Sequence, residues 1–238
     1  MINKQIDDIR EAVADIRDGA VVLIPGFGAV GIADHLLEAL CDQGARDLTV
    51  VANNSGNDEH GLARLINSGH VSKVICSYPR SGDYSAFLKA YREKSLELEL
   101  VPQGTISERM RCAAAGLGGF FSPVSAGTKL ADGKETRMID GRLHVFEKPL
   151  RGDVALVKAW RADRWGNLIY RKSARNFNPI CAMAADLTIV ETETMVDLGA
   201  LDPEAVVTPG IFVDRVVAVG AAPPKNHPMY AKFAGAAA

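Results

Sequence analysis

Val21-Val22-Leu23-Ile24-Pro25-Gly26-Phe27-Gly28-Ala29-Val30-Gly31-Ile32-Ala33-Asp34-His35 reads as a strand, a glycine turn and a helix in direct succession. Ala20 to Ile24 is an apolar, β-branched run of the kind that forms a buried strand. Pro25 ends it. Ile32, Leu36, Leu37 and Leu40 then recur at helical spacing. Between them Gly26, Gly28 and Gly31 let the backbone turn tightly and approach a ligand closely, and the first N–H groups of a helix have no partner within it. The stretch predicts a sheet edge rich in backbone donors.

The glycine spacing fits G-x-G-x-x-G, which in this context can bind a dinucleotide. That fold places an acidic residue at the tip of the second strand to hold the ribose. Here the second strand is Leu48 to Ala52. Its acid, Asp47, stands at the start, and its tip is Asn53-Asn54-Ser55-Gly56. Amides, not a carboxylate, face the ligand. A nucleotide-binding oxidoreductase or a regulatory binding module stays open as an alternative, with nicotinamide titration as its test.

Outward from this stretch, strands and helices alternate. Ile6, Ile9, Val13 and Ile16 predict an opening amphipathic helix ending near Asp18-Gly19. After the asparagines come a helix over Glu59 to Asn67, a strand over Val71 to Ser77, a helix around Phe87, Leu88 and Tyr91, a strand over Leu96 to Val101 and a helix over Thr105 to Ala115. The rhythm implies βαβ units and an α/β fold: an open, mostly parallel sheet flanked by helices. It breaks at Gly116 to Thr128, a glycine-rich stretch without periodicity that predicts a functional loop or linker. An inserted hairpin-rich β region follows, with Arg137 to Ile139 and Leu143 to Phe146 joined by Asp140-Gly141, then Val154 to Ala162 and Leu168 to Tyr170. A helix over Pro179 to Ala185 and strands over Leu187 to Glu191 and Ile211 to Val219 complete one domain over residues 1–220, and residues 221–238 read as a frayed tail.

The 238 residues suffice for a sizeable core, and a net charge of −2 predicts neither a nucleic-acid footprint nor a basic membrane surface. No apolar run is long enough to span a bilayer and no secretory signal opens the chain. The widely spaced Cys41, Cys76, Cys112 and Cys181 read as reduced core residues, hence a cytoplasmic protein. His35, His60, His70, His144 and His227 share no ligand spacing, so no metal site is predicted.

Asp18-Gly19, three apolar residues, Gly26-Phe27 and Gly31 resemble the first signature of the A subunit of the family I CoA-transferases. Pro25-Gly26-Phe27 stands for the usual Gly-Gly-Phe and Ala33 for the usual proline. Asn53-Asn54-Ser55-Gly56, Cys76-Ser77-Tyr78-Pro79-Arg80, Val101-Pro102-Gln103-Gly104, Glu108-Arg109, Lys134-Glu135-Thr136-Arg137, Asp163-Arg164-Trp165-Gly166-Asn167 and Tyr170 to Phe177 follow in the family's order, so the resemblance runs from about Ile6 to Val219. The Cys76 to Arg80 string favours the side of the family that handles 3-oxoadipate, in aromatic-compound degradation.

The resemblance implies covalent chemistry. A glutamate carboxylate attacks an acyl-CoA carbonyl, and the thiolate then captures the glutamyl carbonyl. Every exchange passes through a tetrahedral oxyanion, which calls for fixed donors. Asn53, Asn54 and Gln103 are the amides expected to supply them, and Gly26, Phe27, Gly28, Gly31 and Arg80 the substrate contacts. Arg80 would suit a second carboxylate as a bidentate partner, against the alternative of a surface or subunit-contact arginine. The family's nucleophile lies on the B subunit, so Glu59-His60-Gly61 reads as a coincidental match to its Glu-x-Gly setting. The implied partners are a B subunit, in a heterotetramer or larger, with acyl-CoA and an oxoacid as substrates. Coenzyme A is a substrate and no cofactor is implied. Other short-chain acceptors such as acetoacetate stay open.

Three other features stand outside these assignments. Arg171-Lys172-Ser173-Ala174-Arg175 would attract coenzyme A phosphates or form a salt-bridged or solvated patch. Val124-Ser125-Ala126 departs from the family's usual glycine-plus-tyrosine pattern, and Pro123 rules out a serine-hydrolase elbow at Ser125. Trp160 and Trp165 read as packing or subunit-contact residues.

Overall fold

The structure, a computed structural model, describes residues 2–56, 61–80 and 84–220. The chain runs through β1 (Gln5–Ile6), α1 (Ile9–Val13), β2 (Val21–Ile24), α2 (Asp34–Gln43), β3 (Leu48–Asn54), α3 (Leu62–Asn67), β4 (Val71–Tyr78), α4 (Ser85–Arg92), β5 (Glu97–Leu100) and α5 (Gln103–Ala114). It continues through β6 (Phe120–Ser122), β7 (Thr136–Ile139), β8 (Arg142–Glu147), β9 (Gly152–Asp163), β10 (Leu168–Ile169), α6 (Asn178–Met183), β11 (Ala185–Val196) and β12 (Arg215–Ala218). The main sheet has the order β1-β12-β11-β9-β2-β3-β4-β5, all parallel, with β10 antiparallel on β9. A separate antiparallel sheet has the order β6-β8-β7.

The central strands read as continuous apolar runs because both faces of the sheet are covered. One core packs Val22, Val50, Val74 and Leu156 against α1 to α4, and the other packs Leu23, Val51, Ile75 and Val157 against α5 and α6. All four cysteines are buried and none is in a disulfide. Among the described residues, no helix is long and apolar enough to cross a membrane.

Two features of the topology position the site. β2 lies between β3, its successor, and β9, which returns from far along the chain, so the strand order reverses there and a crevice opens at the carboxyl ends. β9 and β11 also pair along their whole lengths, whereas β2 pairs with β9 only at Val22–Val154 and Leu23–Ala155. The rest of β9 and β11 projects past the rim on which the glycine turn sits.

Several boundaries differ from the sequence reading. The opening segment is divided: Gln5 and Ile6 pair with Val216 and Val217, leaving α1 only Ile9–Val13. The Gly116 to Thr128 stretch contains β6, held on β8 by Phe120–Glu147 and Phe121–Phe146 pairing. β9, expected in the hairpin region, is a central strand of the main sheet. β12 is shorter than Ile211 to Val219, because residues 210–212 form a 3₁₀ turn. Asp140-Gly141 is the expected tight turn, with both φ positive at 48° and 72°. Glu59, His60 and the 221–238 tail lie outside the described residues.

Candidate active site

The glycine turn is built from the inside. Phe27 N–H donates to Val30 O at 3.0 Å and Val30 N–H to Phe27 O at 3.1 Å, closing a two-residue turn over Gly28 and Ala29. Gly28 stands at φ +61°, the conformation this turn demands of its first central residue. At Gly31 a Cβ would lie 2.6 Å from Ala174 O and from Asn176 Nδ2, so only glycine lets the 174–178 segment dock here. Phe27 itself is exposed at the rim.

Three asparagine amides hold carbonyls of the 28–31 segment. Asn54 Nδ2 donates to Gly28 O at 3.3 Å, Asn176 Nδ2 to Val30 O at 3.0 Å and Asn178 Nδ2 to Gly31 O at 2.9 Å. Asn178 is fully buried, and it also donates to Ala174 O and accepts from Lys158 N. Neither Asn176 nor Asn178 is among the expected site residues, although Asn176 falls inside the family's Tyr170 to Phe177 string and Asn178 directly follows it.

The N-terminus of α2 differs from expectation. Its first N–H groups do not all point outward unpaired: Leu36 N–H donates to Oε2 of the fully buried Glu191 at 3.1 Å. Glu191 Oε1 accepts from Lys158 Nζ at 2.8 Å and lies 3.4 Å from His35 Nδ1. Burial pushes the Glu191 carboxyl up, but the His35 hydrogen bond and the Lys158 charge outweigh it and hold it below the usual carboxylate range. That hydrogen bond in turn raises the His35 imidazole above its ordinary value. A carboxylate occupies the positive helix end where a dinucleotide would set its pyrophosphate, which argues against the nucleotide reading.

The structure divides the three expected amides. On an alternating strand Asn53 and Asn54 point to opposite faces. Asn54 is buried towards α2 and α3, with Oδ1 accepting from Gly56 N and Nδ2 holding the glycine turn. Asn53 lies on the other face, where it and Gln103, the first residue of α5, line one pocket together with Ile24, Ile106, Phe177 and Cys181. Ser77 Oγ lies 2.9 Å from Asn53 Oδ1 and 3.0 Å from Asn53 O and anchors that amide from β4. The pocket is small, about 10 Å³, close to what one water occupies.

Apart from the two amides the lining is apolar. Burial pushes the Cys181 thiol up, so it is a neutral packing group against Met110 and no nucleophile. No carboxylate, histidine or lysine lines the pocket among the described residues. Arg80 is exposed beyond the end of β4, its guanidinium 5.9 Å from the Tyr84 ring. The arrangement offers neutral amide donors and, among the described residues, no ionisable base beside them.

The parallel sheet is covered on both faces, and Asn53 and Gln103 line a small pocket near the carboxyl ends of its strands, next to the strand where the order reverses. The chain belongs to the coenzyme A transferase family, as the A subunit of a family I enzyme, and the family's model matches residues 6–219. It is 54% identical to the A subunit of 3-oxoadipate CoA-transferase from Pseudomonas putida, over 93% of this chain and 96% of that one. It is 47% identical to the A subunit of a probable succinyl-CoA:3-ketoacid coenzyme A transferase from Bacillus subtilis, over 91% and 90%. The fold is shared with an acyl-CoA transferase of Escherichia coli O157:H7 solved as a thioester complex with CoA, at a TM-score of 0.78 and 22% identity. The match covers 93% of this chain but 49% of that one, so this chain spans about half of the solved polypeptide.

Proposed function

We propose that this chain is the A subunit of a two-subunit transferase that moves coenzyme A from succinyl-CoA to 3-oxoadipate in aromatic-compound degradation, inactive until a B subunit joins it. The observation that carries the proposal is a pocket lined by two amides with, among the described residues, no carboxylate, histidine or lysine. The partner's glutamate attacks the succinyl-CoA carbonyl, giving a mixed anhydride and the CoA thiolate. The thiolate attacks the glutamyl carbonyl of the anhydride, forming the enzyme thioester and releasing succinate. The carboxylate of 3-oxoadipate then attacks that thioester and frees the thiolate again. Finally the thiolate takes the acceptor's acyl carbon and restores the glutamate. Asn53 and Gln103 serve the oxyanions of these steps, each worth about 3 kcal/mol if aimed at the developing charge.

The preference for 3-oxoadipate is supported by the Pseudomonas putida relative and by the Cys76 to Arg80 string, whose arginine suits a dicarboxylate. The 3-ketoacid relative makes acetoacetate the competitor to test. The experiment is coenzyme A exchange by the purified chain, alone and with a candidate B subunit, with both acids. Exchange only in the mixture, fastest with 3-oxoadipate, supports the proposal. Exchange by the chain alone refutes the missing nucleophile, and a preference for acetoacetate refutes the acceptor.

A further inference from the structure

The main site leaves one group of charges unexplained. Arg161 on β9 and Arg171, which follows β10, both lie against the Trp160 indole, their Cζ atoms 4.3 and 5.7 Å from its centroid. Lys172 and Arg175 belong to the 3₁₀ turn that Arg171 opens. All four are exposed. Among the described residues none of them has a carboxylate within ion-pair distance, and two of them share one indole. The salt-bridged reading of this cluster is therefore not what the structure displays. Like charges held together without a counter-charge repel one another, and an anion relieves that.

Its position limits which anion. Two residues beyond Arg175, Phe177 lines the pocket that holds Asn53 and Gln103, and the intervening Asn176 grips the glycine turn. Leu23 pairs with Ala155, so Arg161 stands six residues further along β9, about 20 Å beyond that level of the sheet. Arg161 thus stands on the projecting part of β9, and Arg171, Lys172 and Arg175 on the segment that runs into the glycine-turn contact and the pocket-lining Phe177. Guanidinium planes bind phosphate oxygens in pairs, and an indole beneath them holds their orientation.

We infer that Arg161 and Arg171, which lie against Trp160, together with Lys172 and Arg175 on the adjoining turn, bind the phosphates of the coenzyme A nucleotide while its thioester reaches the Asn53–Gln103 pocket. The inference rests on the transferase reading above. Its test uses the complex of this chain with its B subunit. R171A/R175A is compared with the unaltered complex on two donors: succinyl-CoA, and succinyl-pantetheine, which lacks the nucleotide. The expected result is a rise of about tenfold in KM for succinyl-CoA with kcat nearly kept and KM for succinyl-pantetheine unmoved, with R171K/R175K restoring most of the loss. Salt should raise KM for succinyl-CoA less in the alanine variant than in the unaltered complex. Equal effects on both donors, no effect on either, or failure of the variant to assemble with its B subunit would each overturn it. An unaltered complex that exchanges no coenzyme A would defeat the transferase reading itself, a separate outcome visible before any variant is made.

Discussion

Truncating Asn178 to alanine tests the physical account of the glycine turn. Its side chain makes three hydrogen bonds, to Gly31 O at 2.9 Å, to Ala174 O at 2.9 Å and from Lys158 N at 2.8 Å, and the residue is fully buried. Alanine strips all three backbone groups of that partner. The bond to Gly31 is buried, so its loss costs about 1–3 kcal/mol, and the two part-buried ones cost roughly 0.5–1.5 kcal/mol each because water reaches them. The total is about 4 kcal/mol, or a fall in Tm of roughly 8–16 °C for a chain of this length. Urea unfolding of the purified chain, followed by circular dichroism, measures it. Asn178→Asp sharpens the test, because it keeps an acceptor for Lys158 N but sets a carboxylate against two carbonyl oxygens. It should be at least as unstable as alanine at neutral pH and recover as the pH falls, when the protonated acid can donate one bond. A loss below about 1 kcal/mol for alanine, or an aspartate variant as stable as the unaltered chain at neutral pH, would show that Asn178 does not hold the turn.

Three further outcomes are expected. Asn53→Ala and Gln103→Ala in the assembled enzyme should each lower kcat by about 10²–10³-fold with little change in KM, read from steady-state exchange, since their donors matter most when the oxyanion forms. Arg80→Ala should lower the preference for dicarboxylic over monocarboxylic acceptors by about tenfold or more, the worth of one charge-assisted pair; an unchanged ratio of kcat/KM values removes Arg80 from the acceptor site. His35, raised by its hydrogen bond to Glu191, contributes stability that is fully present below its ordinary pKa of 6.5 and is lost as pH rises through the raised value. Stability measured from pH 6 upward should therefore fall in the unaltered chain and stay flatter in His35→Gln.

Much of the fold was legible because it is local. The apolar β2, β3 and β4, the periodic α2 and α4 and the Asp140-Gly141 turn are fixed by side-chain pattern and backbone preference, and each is found within a few residues of its expected bounds. What sequence did not reveal depends on distant partners. β1 exists because β12 accepts it from the other end of the chain, and β6 because β8 pairs with it across an irregular stretch. The site divides the same way. Gln103 falls just after its strand as expected, but β3 runs two residues past Ala52, so Asn53 lies inside the strand and its alternation turns Asn54 to the opposite face. The cap on α2 was invisible for a similar reason, since Glu191 comes from a strand far along the chain and nothing in its immediate neighbours marks it as a helix partner.

The most direct measurement is the location of the covalent intermediate. The chain is mixed with its B subunit, given succinyl-CoA in the absence of an acceptor and quenched in acid, and each polypeptide is weighed by intact-mass spectrometry. The expected result is a coenzyme A adduct, less one water, only on the B subunit, with this chain at its unmodified mass. An adduct on this chain would place the nucleophile here instead.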